Sequence, residues 1–424
     1  MALKAKIDNG TLKDITTLYT NINGNLRKIT AAYSNVGGSL QQVYSAAEEY
    51  VTYGVRISLN TSNPQSAVTY TDDAVGMTGG SSAWDEMPIY REIRPCILKD
   101  GAVEYYLNLS DFTKKSDGTA SDIHTGTDGD VMIEFPKVGF KIESSGNYLY
   151  VKITNDPNAE GYSYAAFRRY AGENSSVYKN HLYLGAYLGY VMDGKLRSLS
   201  GYSPSRSITM DSFRTYAHEK GNGYGLQSFY AVTLLQCLYL IRYKTLDSQT
   251  ACGFGASNTN LVRYNTGGTK YHPMFYAGTS TYPQIKVFGI EDLWGNQQTY
   301  LDGIGCDSNW NFIVNRNHEK GDNCGVDSYP SGVDISETWY SIGVGSYMSK
   351  PQGSNELGFL LKEWNANEST YFCDAPSIYP GRIAVYGGSG DGMYQNGIFA
   401  VGLCISDTSG NYPYSNTSAR LMYL

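Results

Sequence analysis

Apolar and polar positions alternate in short runs along the first part of the chain, and the alternation recurs every 14 residues. AKIDNGTLKDITTL from Ala5, YTNINGNLRKITAA from Tyr19 and YSNVGGSLQQVYSA from Tyr33 align Gly10, Gly24 and Gly38, then Leu12, Leu26 and Leu40, then Ile15, Ile29 and Val43. Each copy places an Asn-Gly or Gly-Gly pair between two apolar runs, and such pairs reach the positive φ values of a tight type I′ turn, so each copy predicts a β-hairpin. A hairpin this short cannot bury its own apolar face. Residues 1–48 are therefore expected to stack on themselves, on other subunits or on a larger assembly, as an attachment or oligomerisation segment. The competing reading is a loosely ordered polar leader.

Beyond Glu49 the repeat stops. Residues 49–130 carry strand-like runs (YGVRISL, SAVTYT, PCILKDGAVEYYLNL) between polar turns such as NTSNPQS and KKSDGTASD, which predicts a β-rich connecting region. From Val131 the runs VMIEFPKVGFKIE and NYLYVKIT read as two strands split by an SSGN turn, and HLYLGAYLGYVM follows them. The segment Gly225–Gln249 is different: Ser228 can cap a run that is apolar on all sides and ends in Arg242 and Lys244, which predicts a buried helix. From Ala251 onward, aromatic and glycine residues alternate with polar loops.

Composition sharpens this picture. The chain has 424 residues with 41% apolar and 17% charged positions, enough for a substantial core and for more than one globular unit. Its formal charge of −7 offers no broad basic surface, so nucleic acid and membrane surface are not expected partners. The start, MALKAKIDNG, has no apolar leader, and the longest apolar stretch, Tyr230 to Ile241, is too short to cross a bilayer; neither a signal peptide nor membrane insertion is expected. Seven scattered cysteines without a CxxC pair predict reduced, mostly buried thiols. The 39 tyrosines and 47 glycines, with abundant Asn, Ser and Thr, resemble a binding surface, because Tyr gives a large amphipathic contact at low rotamer cost. The same composition also simply makes strands and turns.

Three segments carry a family resemblance. GIEDLWGNQQTYLDG from Gly289, then RIAVYGGSGDGMYQNGIFAVGLC and the closing SARLMYL, resemble the C-type-lectin-like fold of the formylglycine-generating-enzyme type. With VMIEFPKVGFKI, KLRSLSG and SFYAVTLLQCLYLIRYKTLDSQ, they look like a group of phage tail proteins with that fold, and the 14-residue repeats look like those that anchor tail and baseplate proteins. The fold class expected is α+β: N-terminal β-hairpin repeats, then a loop-rich C-type-lectin-like domain over 131–424 with a buried helix. The same fold displays the variable proteins of diversity-generating retroelements. By that resemblance Ser389, Asp391, Tyr394, Asn396, Asn411, Tyr412, Tyr414 and Asn416 occupy the ligand-contacting stretch. The resemblance implies a virion protein, a tail-tip or fibre homotrimer that binds a host cell-surface glycan or protein and meets other tail or baseplate proteins through residues 1–48. A structural baseplate part, or an enzyme on surface polysaccharide, is the alternative.

No catalytic constellation stands out, and no cofactor or enzymatic activity is expected. The formylglycine enzymes' close cysteine pair is missing, since Cys404 has no neighbour nearer than Cys373. His124, His181, His218, His272 and His318 are far apart, and the HEK triplets at His218 and His318 read as surface loops. Gly189 to Lys195 spells G-x-x-x-x-G-K, but Leu196 stands where a phosphate loop needs Ser or Thr. Asp128 and Asp130, Glu291 and Asp292, and Asp322 and Asp327 lack calcium-loop spacing, and Glu291 and Asp292 read as fixing the loop before Trp294. Exposed aromatics remain: Trp310, Trp339, Tyr340 and Trp364 stand beside amides and hydroxyls, suited to stacking on sugar rings or anchoring a protein epitope, or to holding long loops.

Overall fold

The computed structural model describes residues 50–170, 176–257, 263–307, 312–314, 347–388, 390, 396–405 and 413–424, with the backbone of the strands between 4 and 45 and at 334–335. The chain divides into two compact units, Met1–Tyr50 and Val51–Leu424. In the first, three antiparallel pairs follow one another: Lys4–Lys6 with Leu12–Asp14, Leu18–Ile22 with Asn25–Ile29, and Ala31–Val36 with Ser39–Ser45. Ile22 lies opposite Asn25 and Val36 opposite Ser39, so two residues close the second and third hairpins, whereas Lys6 lies opposite Leu12 and five residues separate the strands of the first. The two-residue closure is the register an Asn-Gly or Gly-Gly loop selects.

The second unit holds three main sheets. Sheet 1 has the order Gly139–Ser145, Tyr148–Thr154, Thr52–Ser58, Val68–Asp72. Sheet 2 runs Ala102–Tyr106, Arg94–Lys99, Asp130–Pro136, His181–Gly185, Leu421–Tyr423, Tyr224–Leu226. Sheet 3 runs Asp334–Ile335, Phe312–Val314, Gln298–Cys306, Arg382–Tyr386, Val401–Ile405, and Thr417–Ser418 pairs in parallel with its Gln298–Cys306 strand. The stretch 49–130 is thus no connector: its strands belong to sheets 1 and 2.

Sheet 2 explains why its strands read as unbroken apolar runs rather than alternating ones. Ile97, Val131 and Ile133 face the main core, while their neighbours Cys96, Leu98 and Met132 face a second cluster with Met210, Phe213 and Leu421. A strand covered on both faces has no polar side to show. The run VMIEFPKVGFKIE, expected as one strand, is two, in different sheets, broken after Pro136, which has no N–H to continue a ladder.

Three α-helices complete the unit: α1, Met210–His218; α2, Phe229–Tyr243; and α3, Ser248–Cys252. Ser228 Oγ accepts the Ala231 N–H at 3.2 Å to start α2, and Lys244 ends it in the left-handed region at φ 54°. Fourteen consecutive residues of α2, Phe229 to Arg242, are buried, because the helix packs on strands of sheets 1 and 3 and on the hairpin strand Gly358–Glu363. The α+β expectation is corrected here: among the described residues thirty strands stand against three α-helices, and the molecule is sheet-rich. One long helical signal outweighed, in the sequence, a Tyr-, Thr- and Gly-rich remainder whose intrinsic preference is strand and turn.

Candidate functional site

The segment Gly289 to Asn296 is a buried, hydrogen-bonded frame. Lys286–Val287 and Ile290–Glu291 form a tight antiparallel pair. Glu291 then accepts the backbone N–H groups of Gly267 and Thr269 and the Thr269 hydroxyl, each at 2.7 Å. Asp292 Oδ2 accepts from Gln284 and Asn296 at 2.8 Å, and Asn296 in turn binds both backbone groups of Tyr264. Trp294 is fully buried with its indole N–H on the Gly253 carbonyl at 3.0 Å. Arg420 locks the frame to the C-terminal strand region by donating to the carbonyls of Gly185, Glu291 and Asp292 at 2.9 to 3.0 Å. Burial pushes the Glu291 and Asp292 carboxyls up and the Arg420 guanidinium down to about 10. These acids hold loops, as their position before Trp294 suggests.

The turn Gly387-Gly388 leaves sheet 3 at the end of its Arg382–Tyr386 strand with both residues at positive φ, 84° and 68°. A Cβ at Gly387 would lie 2.6 Å from the Leu293 carbonyl oxygen, so the turn presses directly on the Trp294 frame and only glycine fits. At the far end of this connection Asn396 is buried: its amide donates to Ser257 Oγ at 2.8 Å, and its carbonyl accepts from Gln249. Asn396 therefore belongs to the base of the loop and not to a displayed face. Tyr414 is half-buried against the second core cluster, and its carbonyl accepts from Ser207 at 3.1 Å. Asn416, also half-buried, accepts from Arg263. Trp310, Trp339, Tyr340, Ser389, Asp391, Tyr394, Asn411 and Tyr412 lie outside the described residues.

Every one of these positions nonetheless has a defined place in the chain relative to sheet 3. Trp310 lies between its strands Gln298–Cys306 and Phe312–Val314, and Trp339 and Tyr340 follow Asp334–Ile335. Ser389 to Asn396 lie between Arg382–Tyr386 and Val401–Ile405, and Asn411 to Asn416 between Val401–Ile405 and Thr417–Ser418.

Asp374 fixes the base of the 387–400 connection. It is fully buried, its Oδ2 accepts the Phe399 N–H at 2.8 Å, and Ser248 Oγ beside it accepts the Ile398 N–H at 3.1 Å. Desolvation, with Asp247 nearby, raises its carboxyl far above the ordinary range. The folded state therefore binds a proton more tightly than the unfolded chain, and this contribution to stability is full below the unfolded pKa of about 3.9 and is lost as pH rises towards the folded value. Asp374→Asn removes that dependence. Relative to the parent, the variant should gain stability with rising pH above 4, by up to about 1.4 kcal/mol per pH unit within the window; parallel denaturation midpoints of the two proteins from pH 4 to 8 would sink the assignment.

Other sequence candidates resolve into structural roles. Asp130 is buried in a cluster with Arg197 at 3.0 Å, Lys220 and the Ser198 N–H, and Asp128 accepts the Tyr105 hydroxyl at 2.7 Å. The G-x-x-x-x-G-K match is a hairpin of Tyr190–Met192 and Lys195–Arg197 turned by Asp193 and Gly194, both at positive φ. His218 is the last residue of α1, which corrects the loop reading, whereas His318, Asp322 and Asp327 lie outside the described residues. The six described cysteines are free, and burial raises their thiols. Among the described residues no three His, Cys, Asp or Glu side chains gather to hold a metal ion, and no helix is long and apolar enough to cross a membrane. The sequence reading missed two of the most exposed aromatics, Tyr271 and Tyr282; at 63% and 71% exposed they outrank Trp364, at 47%. Their only signal was position in a polar, glycine-bearing stretch. In comparisons with known proteins, no family model matches the chain and no curated protein matches its sequence.

Proposed function

We propose that the chain is a receptor-binding protein of a phage tail tip or fibre, which docks on the particle through residues 1–48 and binds a host-surface glycan or protein through residues 51–424. The observation that carries this reading is the common placement of the candidate contacts: all eleven lie in segments that join, or leave, the strands of a single sheet. Loops held by one rigid sheet are a recurrent way of presenting adaptable Tyr- and Asn-rich surfaces. The separate hairpin unit supports the docking half, because an isolated two-stranded hairpin is at best marginally stable in water and gains stability by packing on a partner. A homotrimer on a particle would gain avidity from several weak sites at once. No catalytic role is part of the proposal. If a retroelement diversifies the C-terminal stretch, buried Asn396 should be constant while Ser389, Asp391 and Tyr394 vary.

The test is adsorption of labelled protein to a panel of bacterial strains, full chain against a form lacking residues 1–48. Strain-selective binding retained without the hairpins is the expected result. A folded protein that binds no strain would assign the chain to a structural part of the baseplate. Replacing Tyr394 and Tyr412 together by Ala should abolish adsorption while shifting the denaturation midpoint little; a large loss of stability with adsorption intact would place these tyrosines in packing.

A further inference from the structure

A cavity of about 540 Å³ opens in the second unit between the end of α2, the turn Ser82–Glu86 and the segment 273–288. That size is within the range of small-molecule sites. Its walls are aromatic, from Tyr90, Tyr243, Phe275, Tyr276 and Phe288. Its charge is the reverse of the chain's: Arg91 and Arg242 line it against one carboxylate, Asp85, in a protein of formal charge −7, while burial lowers the Lys286 ammonium to about 7.

Arg242 is the informative residue. Its side chain is 4% exposed, and its guanidinium lies 3.8 Å over the Phe275 ring. Nη1 meets Asp85 Oδ1 at 2.8 Å, but Asp85 is itself about half exposed, and Nε has no hydrogen-bond partner among the described residues. A buried N–H without an acceptor is costly and uncommon in proteins. A planar, aromatic-backed guanidinium with an unmet donor suits a carboxylate better than a point anion, because two parallel N–H bonds match two carboxylate oxygens. The rings beside it offer flat faces for the C–H side of a sugar, and Ser82 and Ser110 at the margin can bond hydroxyls.

We propose that this cavity binds a ring-borne carboxylate, a uronic acid residue of an acidic glycan, with the carboxylate on Arg242 in place of Asp85 and the ring against Phe275 and Tyr243. The site does not depend on the attachment reading, since binding is measured on the purified full chain without cells.

The probes are galacturonic acid and its trimer, with galactose and benzoate as controls, titrated by calorimetry. Saturable uronate binding at least tenfold tighter than galactose is expected. Ser110→Trp, at an exposed position on the rim, should abolish it in a protein that still unfolds cooperatively. Asp85→Asn should tighten it several-fold by freeing the guanidinium. No uronate binding, equal binding of galactose, benzoate binding alone, or affinities unmoved by Ser110→Trp or Asp85→Asn would each overturn the assignment.

Discussion

Replacing Arg420 by methionine is expected to destabilise the second unit by about 3–5 kcal/mol, the range for breaking a buried charged network from one side. The aliphatic part of the side chain is retained, so packing changes little. What is lost is the donor set: the carbonyls of Gly185, Glu291 and Asp292 are left without it inside the protein. Each stranded acceptor carries a desolvation cost. Asp292 loses at the same time the cation that opposes its upward shift. Arg420→Lys keeps the charge but cannot span three carbonyls with a planar fork, so an intermediate loss is expected. Urea denaturation read by tryptophan fluorescence measures both. A methionine variant within about 1 kcal/mol of the parent would show that the frame around Trp294 stands without the clamp.

The second large effect is expected at Arg214 and Asp302, which tie α1 to the Gln298–Cys306 strand. The pair is bidentate, Nε to Oδ2 at 2.9 Å and Nη2 to Oδ1 at 2.6 Å, and both side chains are 4% exposed. Arg214→Leu alone leaves a buried carboxylate without its cation and should cost about 3–5 kcal/mol. Adding Asp302→Leu removes the stranded charge and should recover a large part of that loss. In a double-mutant cycle the expected coupling is about 2–3 kcal/mol, at the upper end for residues in contact. Additive losses would mean that α1 is held by the apolar contacts of Phe213 and Ala217 and that the ion pair is incidental.

What the sequence made legible is local. The Asn23-Gly24 and Gly37-Gly38 pairs set the two-residue closure of the second and third hairpins, and Ser228 marked the first turn of α2, because each signal and its consequence lie within a few residues. Nine-residue α1, capped by Thr209, was not legible, since its short amphipathic pattern is interrupted by Arg214, which points to Asp302 rather than to solvent. The order of sheet 2 was equally hidden. Nothing near Leu421 announces that it will lie between His181–Gly185 and Tyr224–Leu226. The aromatic cavity draws its cations from Arg91 and Arg242, and Arg242 in the sequence reads only as a favourable charge at a helix end. The loop-fixing role of Glu291 and Asp292 was expected from their place before Trp294 in the segment that carries the family resemblance, but their partner Arg420 was not, being more than a hundred residues away.

The strand Thr52–Ser58 has two neighbours in sheet 1, Val68–Asp72 on one side and Tyr148–Thr154 on the other. The first is available almost at once during synthesis, and each hairpin ahead of it closes within at most 15 residues. The second is not. At ~5–20 residues per second a ribosome needs on the order of ten seconds to deliver it, and through that interval the nascent chain carries a row of unpaired backbone donors and acceptors. An early-formed hairpin unit thus emerges tethered to a half-built edge, and crowding several such chains on one messenger favours strand exchange between them. Slowed translation after residue 72 should lengthen that exposure and lower the soluble yield.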